Sequence, residues 1–379
     1  MENNAAQFEK SAIQALRNQT PIRDIPGVRI TGVRQKPEEP FDLSFKLESG
    51  KSRVRVLAEI RSASSPKLLE EIAPWIRRMK SLRPDVAFAV ISPALSLQSQ
   101  AYCVQNGINF LDLAGNIFIN VPGKFTLQRL GMRSKERNES ASSFRNINVF
   151  SGRSSRVLRV LLEKPKRWTF TEIAKELAAE TERVARTCPN GSVDFAISLG
   201  SISKALASLE EQLWIRRQGN SILIPEPSRV LDAWAEKYKE RYRWRMRSSF
   251  QTSNPFGAHL EGINQGLRPF MRGLYAFTGA AAAALDAPFI ELDQVDVFLS
   301  NVNLDRGLRQ LDTRPKSGPK LRFTFPYDAG VFMYSRLEAS IPTVSNIQAY
   351  LDLYARGGRD LKQADYLLSN AIEPRWRTA

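Results

Sequence analysis

The chain is poor in the residues that build cross-linked or metal-bound sites. Its 379 residues include two cysteines, Cys103 and Cys188, and one histidine, His259. Two cysteines make neither a disulfide framework nor a cysteine cluster for zinc. A lone histidine cannot build a histidine-rich metal site, and it argues against Ser-His-Asp and Cys-His hydrolases. His259 reads instead as a surface or loop residue. No apolar run is long enough to cross a bilayer. The longest, Leu274 to Ile290, is interrupted by Asp286 and Pro288, and its Ala280 to Ala284 block reads as a tightly packed helix. The start, Met1-Glu2-Asn3-Asn4, carries no apolar core, so no secretory signal is expected. These absences point to a cytoplasmic, nucleoid-associated protein with no membrane partner, no cofactor and no metal.

Acidic residues are also short in supply. There are 39 Asp and Glu against 55 Lys and Arg, a formal charge of +16. Such a surplus favours nucleic acid, an anionic surface or an acidic partner, and says nothing about fold. Hydrophobic residues make up 42% of the chain, enough for two or three cores.

The most informative stretch is Ser154 to Pro225. Val157, Leu158, Leu161 and Leu162 give a first helix its apolar face. Thr169 or Thr171 caps a second, with Ile173, Ala174 and Leu177 inward. A third carries Ile202, Leu206, Leu209 and Leu213, leaving Ser201, Ser203, Lys204, Ala207 and Ser208 outward. Trp214 to Arg217, a turn at Gln218-Gly219-Asn220-Ser221, and Ile222 to Ile224 then read as a hairpin. Three helices and a hairpin predict a winged helix-turn-helix. Ser201, Ser203, Lys204 and Ser208 are its candidates for the DNA groove, and Arg216, Arg217, Lys166 and Arg167 for phosphates.

A helix is expected from Ser228 to about Ser248. Trp234, Tyr238 and Tyr242 form an aromatic stripe on it, and Lys237, Arg241 and Arg245 a basic one. Lys239, Arg243 and Arg247 form another. It reads either as an amphipathic connector with solvated charges or as a helix tracking the DNA backbone through Lys237, Arg241 and Arg245.

Upstream, strand signals at Gly27 to Val33, Phe41 to Leu47, Val54 to Ile60, Val86 to Ile91, Asn109 to Leu113, Ile117 to Val121 and Phe125 to Leu130 alternate with helices at Pro66 to Leu82 and Ser96 to Asn106. Asp42 opens one strand and Glu59-Ile60-Arg61 ends the next. An Asp followed by Glu-x-Lys on the neighbouring strand is the PD-(D/E)xK nuclease arrangement, which holds Mg²⁺ and activates water. Arg61 stands in the lysine position and cannot act as a base. Asp42, Glu59 and Arg61 are therefore vestigial catalytic candidates in an inactive, nuclease-like scaffold. Asp112 to Asn116 reads as a turn whose polar side chains cap the backbone. Gly357-Gly358-Arg359 reads as a helix break between Val344 to Tyr354 and a final helix that Asp360 caps.

Other strings carry a resemblance: Ile91-Ser92-Pro93, Asn106 to Asn116 with its Leu-Asp-Leu-Ala-Gly-Asn, Phe150 to Leu158, and Leu231-Asp232-Ala233-Trp234-Ala235. Near the end come Val344-Ser345, Gln348 to Leu353, Gly357-Gly358-Arg359 and Ala364. Together they resemble the AbiEi-type antitoxins of type IV toxin–antitoxin systems, in the longer form with a restriction-endonuclease-like N-terminal domain. The resemblance implies a repressor of its own operon whose C-terminal part antagonises a nucleotidyltransferase toxin encoded nearby. It departs from the pattern at Arg61 and at an insertion, Thr181 to Asp194, that contains Cys188-Pro189-Asn190-Gly191.

The expected class is α+β and multidomain. An α/β nuclease-like domain at 1–132 is followed by a linker at 133–149, a winged helix-turn-helix at 150–227, a basic connector helix at 228–249 and a mixed α/β domain at 250–379. The leading expectation is a sequence-specific regulator of double-stranded DNA with no enzymatic activity, and a homodimer fits it. One alternative is a Mg²⁺-dependent nuclease targeted by the winged helix; another is an interaction module for an acidic protein partner.

Overall fold

The computed structural model describes residues 2–38, 41–132, 148–187, 193–245, 249–271, 273–300, 305–313 and 317–377. Most of the expected linker, the Cys188-Pro189-Asn190-Gly191 turn and the Arg245 side chain lie outside the described residues. The chain is mixed α and β and divides into two units: residues 1–146 with Glu210–Leu213, and residues 147–209 with 214–379.

The first unit is built on one seven-stranded sheet whose spatial order follows the sequence. Helix α1 (Glu2–Arg17) precedes β1 (Val28–Glu38), β2 (Phe41–Ser49) and β3 (Ser52–Ile60), which pair as an antiparallel meander. Helix α2 (Pro66–Leu82) crosses to β4 (Val86–Ser92), and α3 (Leu97–Gln105) to β5 (Asn109–Asp112). Both crossovers give parallel pairs. The strands β6 (Ile117–Val121) and β7 (Phe125–Arg129) close the sheet antiparallel. All seven expected strands are present, with β1 longer than its apolar stretch suggested. Helix α1 was not anticipated.

Alternation along the strands gives this sheet two cores. Ala87, Ala89 and Ile91 of β4 pack with α1 residues Ala12, Ile13 and Leu16, whereas Val86, Phe88 and Val90 pack with Leu69, Ala73 and Ile76 of α2. A parallel strand covered on both faces is expected to read as an unbroken apolar run, and β4 does.

The Asp112–Asn116 turn joins β5 to β6 without exposing its polar groups. Asp112 Oδ1 accepts the Asn116 amide (2.8 Å), and Oδ2 accepts the Leu95 amide and Asn116 Nδ2 (2.8 Å each). Asn116 in turn receives the Met132 amide at 2.7 Å. Both side chains are fully buried, so their role is to satisfy backbone groups.

In the second unit, α4 (Ser154–Glu163), α5 (Phe170–Thr187) and α6 (Leu199–Glu211) lead into a hairpin of β8 (Arg216–Gln218) and β9 (Ser221–Leu223). Helix α7 (Pro227–Arg245) follows. A six-stranded mixed sheet has the order β10-β13-β12-β11-β15-β14. These strands are β10 (Ser249–Thr252), β11 (Tyr275–Thr278), β12 (Gln294–Leu299), β13 (Lys320–Thr324), β14 (Arg336–Glu338) and β15 (Ile341–Thr343). Helices α8 (Leu260–Leu267), α9 (Gly279–Asp286), α10 (Asp305–Arg309), α11 (Asn346–Arg356), α12 (Arg359–Leu367) and α13 (Glu373–Arg377) complete it.

A single apolar core runs from α4 through Trp234 and Tyr238 of α7 to Ala282 of α9 and Leu351 of α11. The long apolar stretch at Leu274 to Ile290 is thus a strand and a packed alanine helix. Gly357 and Gly358 break the chain between α11 and α12 at φ +73° and +62°. Asp360 does not cap α12. Its carboxylate turns back to Arg356 Nε at 2.7 Å, and Gly358 takes the cap position.

Gly115 sets the tight turn: its φ is +99°, and a Cβ there would lie 2.8 Å from Arg129 Nη2 and 3.3 Å from the Pro21 carbonyl oxygen. Gly115→Ala is expected to cost about 2 kcal/mol, the scale of a strained left-handed residue. Hydrogen exchange of the β5 and β6 amides measures this; unchanged protection would contradict it.

Candidate nucleic-acid interface

The candidate surface starts from how α5 and α6 are held. Thr169 caps α5: its Oγ1 accepts the Glu172 amide (3.3 Å) while Glu172 Oε2 accepts the Thr169 amide (2.6 Å). This reciprocal capping box holds the Glu172 carboxyl below its ordinary value, the Thr169 amide contributing most. Thr171 is not the cap. Helix α5 then continues through Thr187, so the first half of the anticipated insertion is helical.

Helix α6 buries Ile202, Ala205, Leu206 and Leu209. Leu213 leaves that line. It stands beyond the helix at φ +57°, with its amide on the Glu210 carbonyl (2.9 Å) and the Trp214 amide on the Leu209 carbonyl (2.9 Å). This double bond pattern is a Schellman stop, here with leucine in the left-handed position. Trp214 and Ile215 are consequently buried core residues ahead of the hairpin, and β8 starts at Arg216. The hairpin closes Gln218 onto Ser221, and Trp168 adds a third rung through paired backbone bonds with Ile222 (2.8 and 2.7 Å).

Ser203 and Lys204 are exposed on α6, as are Arg216 and Arg217 on β8. Ser201 is exposed but engaged, its Oγ 2.9 Å from that of Ser198, and Ser208 is half-buried. Lys166 and Arg167 lie just ahead of α5. Lys166 pairs with Glu172 (3.2 Å), and its ammonium sits 4.1 Å from the Trp168 ring centre. Arg167 Nη1 donates to Gln218 Oε1 at 2.6 Å, which brings this segment onto the hairpin. On α7, Lys237 pairs with Glu240 (2.8 Å) and Arg241 donates to Ser151 Oγ (3.2 Å). Trp234 and Tyr238 are buried, so the aromatic stripe belongs to the core. Leu199, at 60% exposure, is the surface residue that apolar spacing hid. It lies three positions before Ile202 and so extends the buried line, yet the core stops short of it.

The opposite side of this assembly is closed by polar contacts. Every residue from Ser155 to Glu163 is buried, so α4 has a second inner face that its apolar spacing did not reveal. Arg159 Nη2 donates to Gln348 Oε1 at 2.5 Å, and its guanidinium lies 5.0 Å from the Trp234 ring centre. Gln348 passes the connection to Asp352 (2.9 Å), which also accepts Tyr238 Oη (2.5 Å) and Thr278 Oγ1 (2.6 Å). Arg156 pairs with Asp328 at 3.1 Å. Glu180 of α5 accepts the Tyr334 amide at 2.6 Å. The cavity beside this cluster, lined by Tyr238, Thr278, Asp296 and Asp352, is only about 20 Å³, which is room for a water molecule.

In the first unit, Asp42, Glu59 and Arg61 do come together on β2 and the end of β3. Asp42 Oδ2 accepts the Ile60 amide at 2.8 Å, and Glu59 Oε1 pairs with Arg61 Nη2 at 2.5 Å. The guanidinium thus occupies the carboxylate that a metal would need, and it cannot take a proton from water. Among the described residues, no group of three or more His, Cys, Asp or Glu side chains is placed to hold a metal ion, and no helix is long and apolar enough to cross a membrane.

No family model, no curated protein and no solved structure matches this chain.

Complete burial raises the Glu163 carboxyl above its unfolded value near 4.5, against the weaker pull of Ser345, Arg375 and Arg159. The fold therefore binds the proton more tightly than the unfolded chain does, and this group's contribution falls as pH rises from about 4.5 through the raised folded value. Glu163→Gln is expected to gain stability over the parent at neutral pH, by on the order of 1 kcal/mol, relative to their difference at pH 4.5. Urea unfolding of both proteins at the two pH values checks this; a pH-independent difference would refute it.

Proposed function

We propose that this protein is a sequence-specific DNA-binding regulator whose α4–α6 and hairpin act as a winged helix-turn-helix. One observation carries the reading. Ser203 and Lys204 of α6 are exposed beside a hairpin that displays Arg216 and Arg217, while the inner faces of the same helices are buried. A narrow outer face of small and basic residues fits a major groove, and arginines on an adjoining ribbon fit the flanking phosphates. Lys166 and Arg167 extend the phosphate contact, and the formal charge of +16 supplies long-range attraction. The motif resemblance adds the antitoxin role: repression of its own operon and antagonism of a nucleotidyltransferase toxin. In this reading the N-terminal unit is a nuclease-like scaffold in which Arg61 neutralises the vestigial carboxylate.

The test is a DNase I footprint on the DNA upstream of the chain's own gene, in EDTA and across a salt series. A discrete protected site at physiological salt is expected. Arg216→Ala should weaken binding to all sequences and reduce the slope of log K against log salt by about one. Lys204→Ala should instead relax sequence preference, at a cost of about 1–3 kcal/mol for the preferred site. Diffuse, salt-sensitive protection, or equal loss of specificity from both variants, would overturn these assignments.

A further inference from the structure

We infer that Leu199 reads the 5-methyl group of a thymine in the major groove, an inference that rests on the DNA-binding reading above. Leu199 is the first residue of α6 and is 60% exposed, although it lies on the extension of the line formed by Ile202, Leu206 and Leu209. The residues around it on the outer side are Gly200, Ser203 and Lys204, all exposed and only one of them charged. A methyl group placed on Gly200 would meet nothing within 4 Å, so packing inside the chain does not require glycine there. A leucine beside a bare backbone position forms a low apolar ridge that a groove floor can approach closely. Arg216 and Arg217 on the hairpin mark the occupant as polyanionic, which favours duplex DNA over an apolar protein surface.

In the major groove, the one apolar group a base pair offers is the thymine methyl, and it distinguishes A·T from the other pairs. Leu199 then supplies discrimination by burial rather than by hydrogen bonding. Lys204, one turn on, remains available for an acceptor such as guanine O6 or N7.

The experiment uses the full chain and a random duplex pool selected at physiological salt. The enriched duplex is resynthesised with each thymine replaced singly by deoxyuridine, which removes the methyl group alone. At one position, uracil is expected to weaken binding of the parent protein about fourfold, the worth of one buried methyl group. Leu199→Ala, at an exposed site, should bind the thymine and uracil duplexes equally, both at the weaker level. A parent that ignores every uracil substitution, or a Leu199→Ala variant that keeps the thymine preference, overturns the Leu199 role and leaves the DNA-binding reading intact. A pool that yields no enriched sequence overturns both.

Discussion

The second unit depends on a buried arginine. Arg159 is 3% exposed on a helix with no solvent side, and its guanidinium is held by the Gln348 amide oxygen and the Trp234 ring. A buried charge is tolerated only where neighbouring groups replace its hydration, and removing such a partner costs several kcal/mol. The neighbours here come from α7 and α11, well separated in sequence from α4. Arg159 therefore ties the three-helix segment to the C-terminal half, and Asp352 carries the tie onward to Thr278 at the end of β11. Arg156 with Asp328 and Glu180 with the Tyr334 amide repeat this linkage on either side. The helix that would lie behind DNA is thereby rigidly backed, while the outer face of α6 and the hairpin stay open.

This shared core changes the meaning of the domain pattern. Composition separates a winged segment, a basic connector and a C-terminal block. Trp234 and Tyr238 of the connector are instead central core residues, and the apolar contacts pass continuously from Leu158 to Leu351. The stripe of aromatics at four-residue spacing was visible in the sequence. Its partners were not, because they are supplied by α4 and α11 at long range.

The candidate surface was partly legible for similar reasons. Ile202, Leu206 and Leu209 repeat at helical spacing, and that repeat correctly assigned Ser203 and Lys204 to the outside. It failed at both ends of α6. Leu213 continues the repeat but sits past a Schellman stop, and Leu199 begins it but lies beyond the core. Periodicity describes an unbounded helix, whereas burial depends on where the neighbouring helices end. In the first unit, the proximity of Asp42 to Glu59 followed from strand pairing, but the Glu59–Arg61 ion pair is a side-chain choice that the alternation of a strand does not dictate.

Local chemistry in the sequence was sufficient to determine the seven strands of the first sheet, the Asp112–Asn116 turn, the glycine break at Gly357 and the hairpin at Gly219. Each rests on the apolar pattern of a few adjacent residues or on backbone freedom at a glycine. Tertiary structure alone decided that α4 is buried on every side, that Arg159 and Glu163 are interior, that Asp360 pairs with Arg356 rather than capping a helix, and that Leu199 faces water. Those outcomes depend on which distant element covers which face, and burial of a charged or apolar side chain is a property of that packing rather than of the residue.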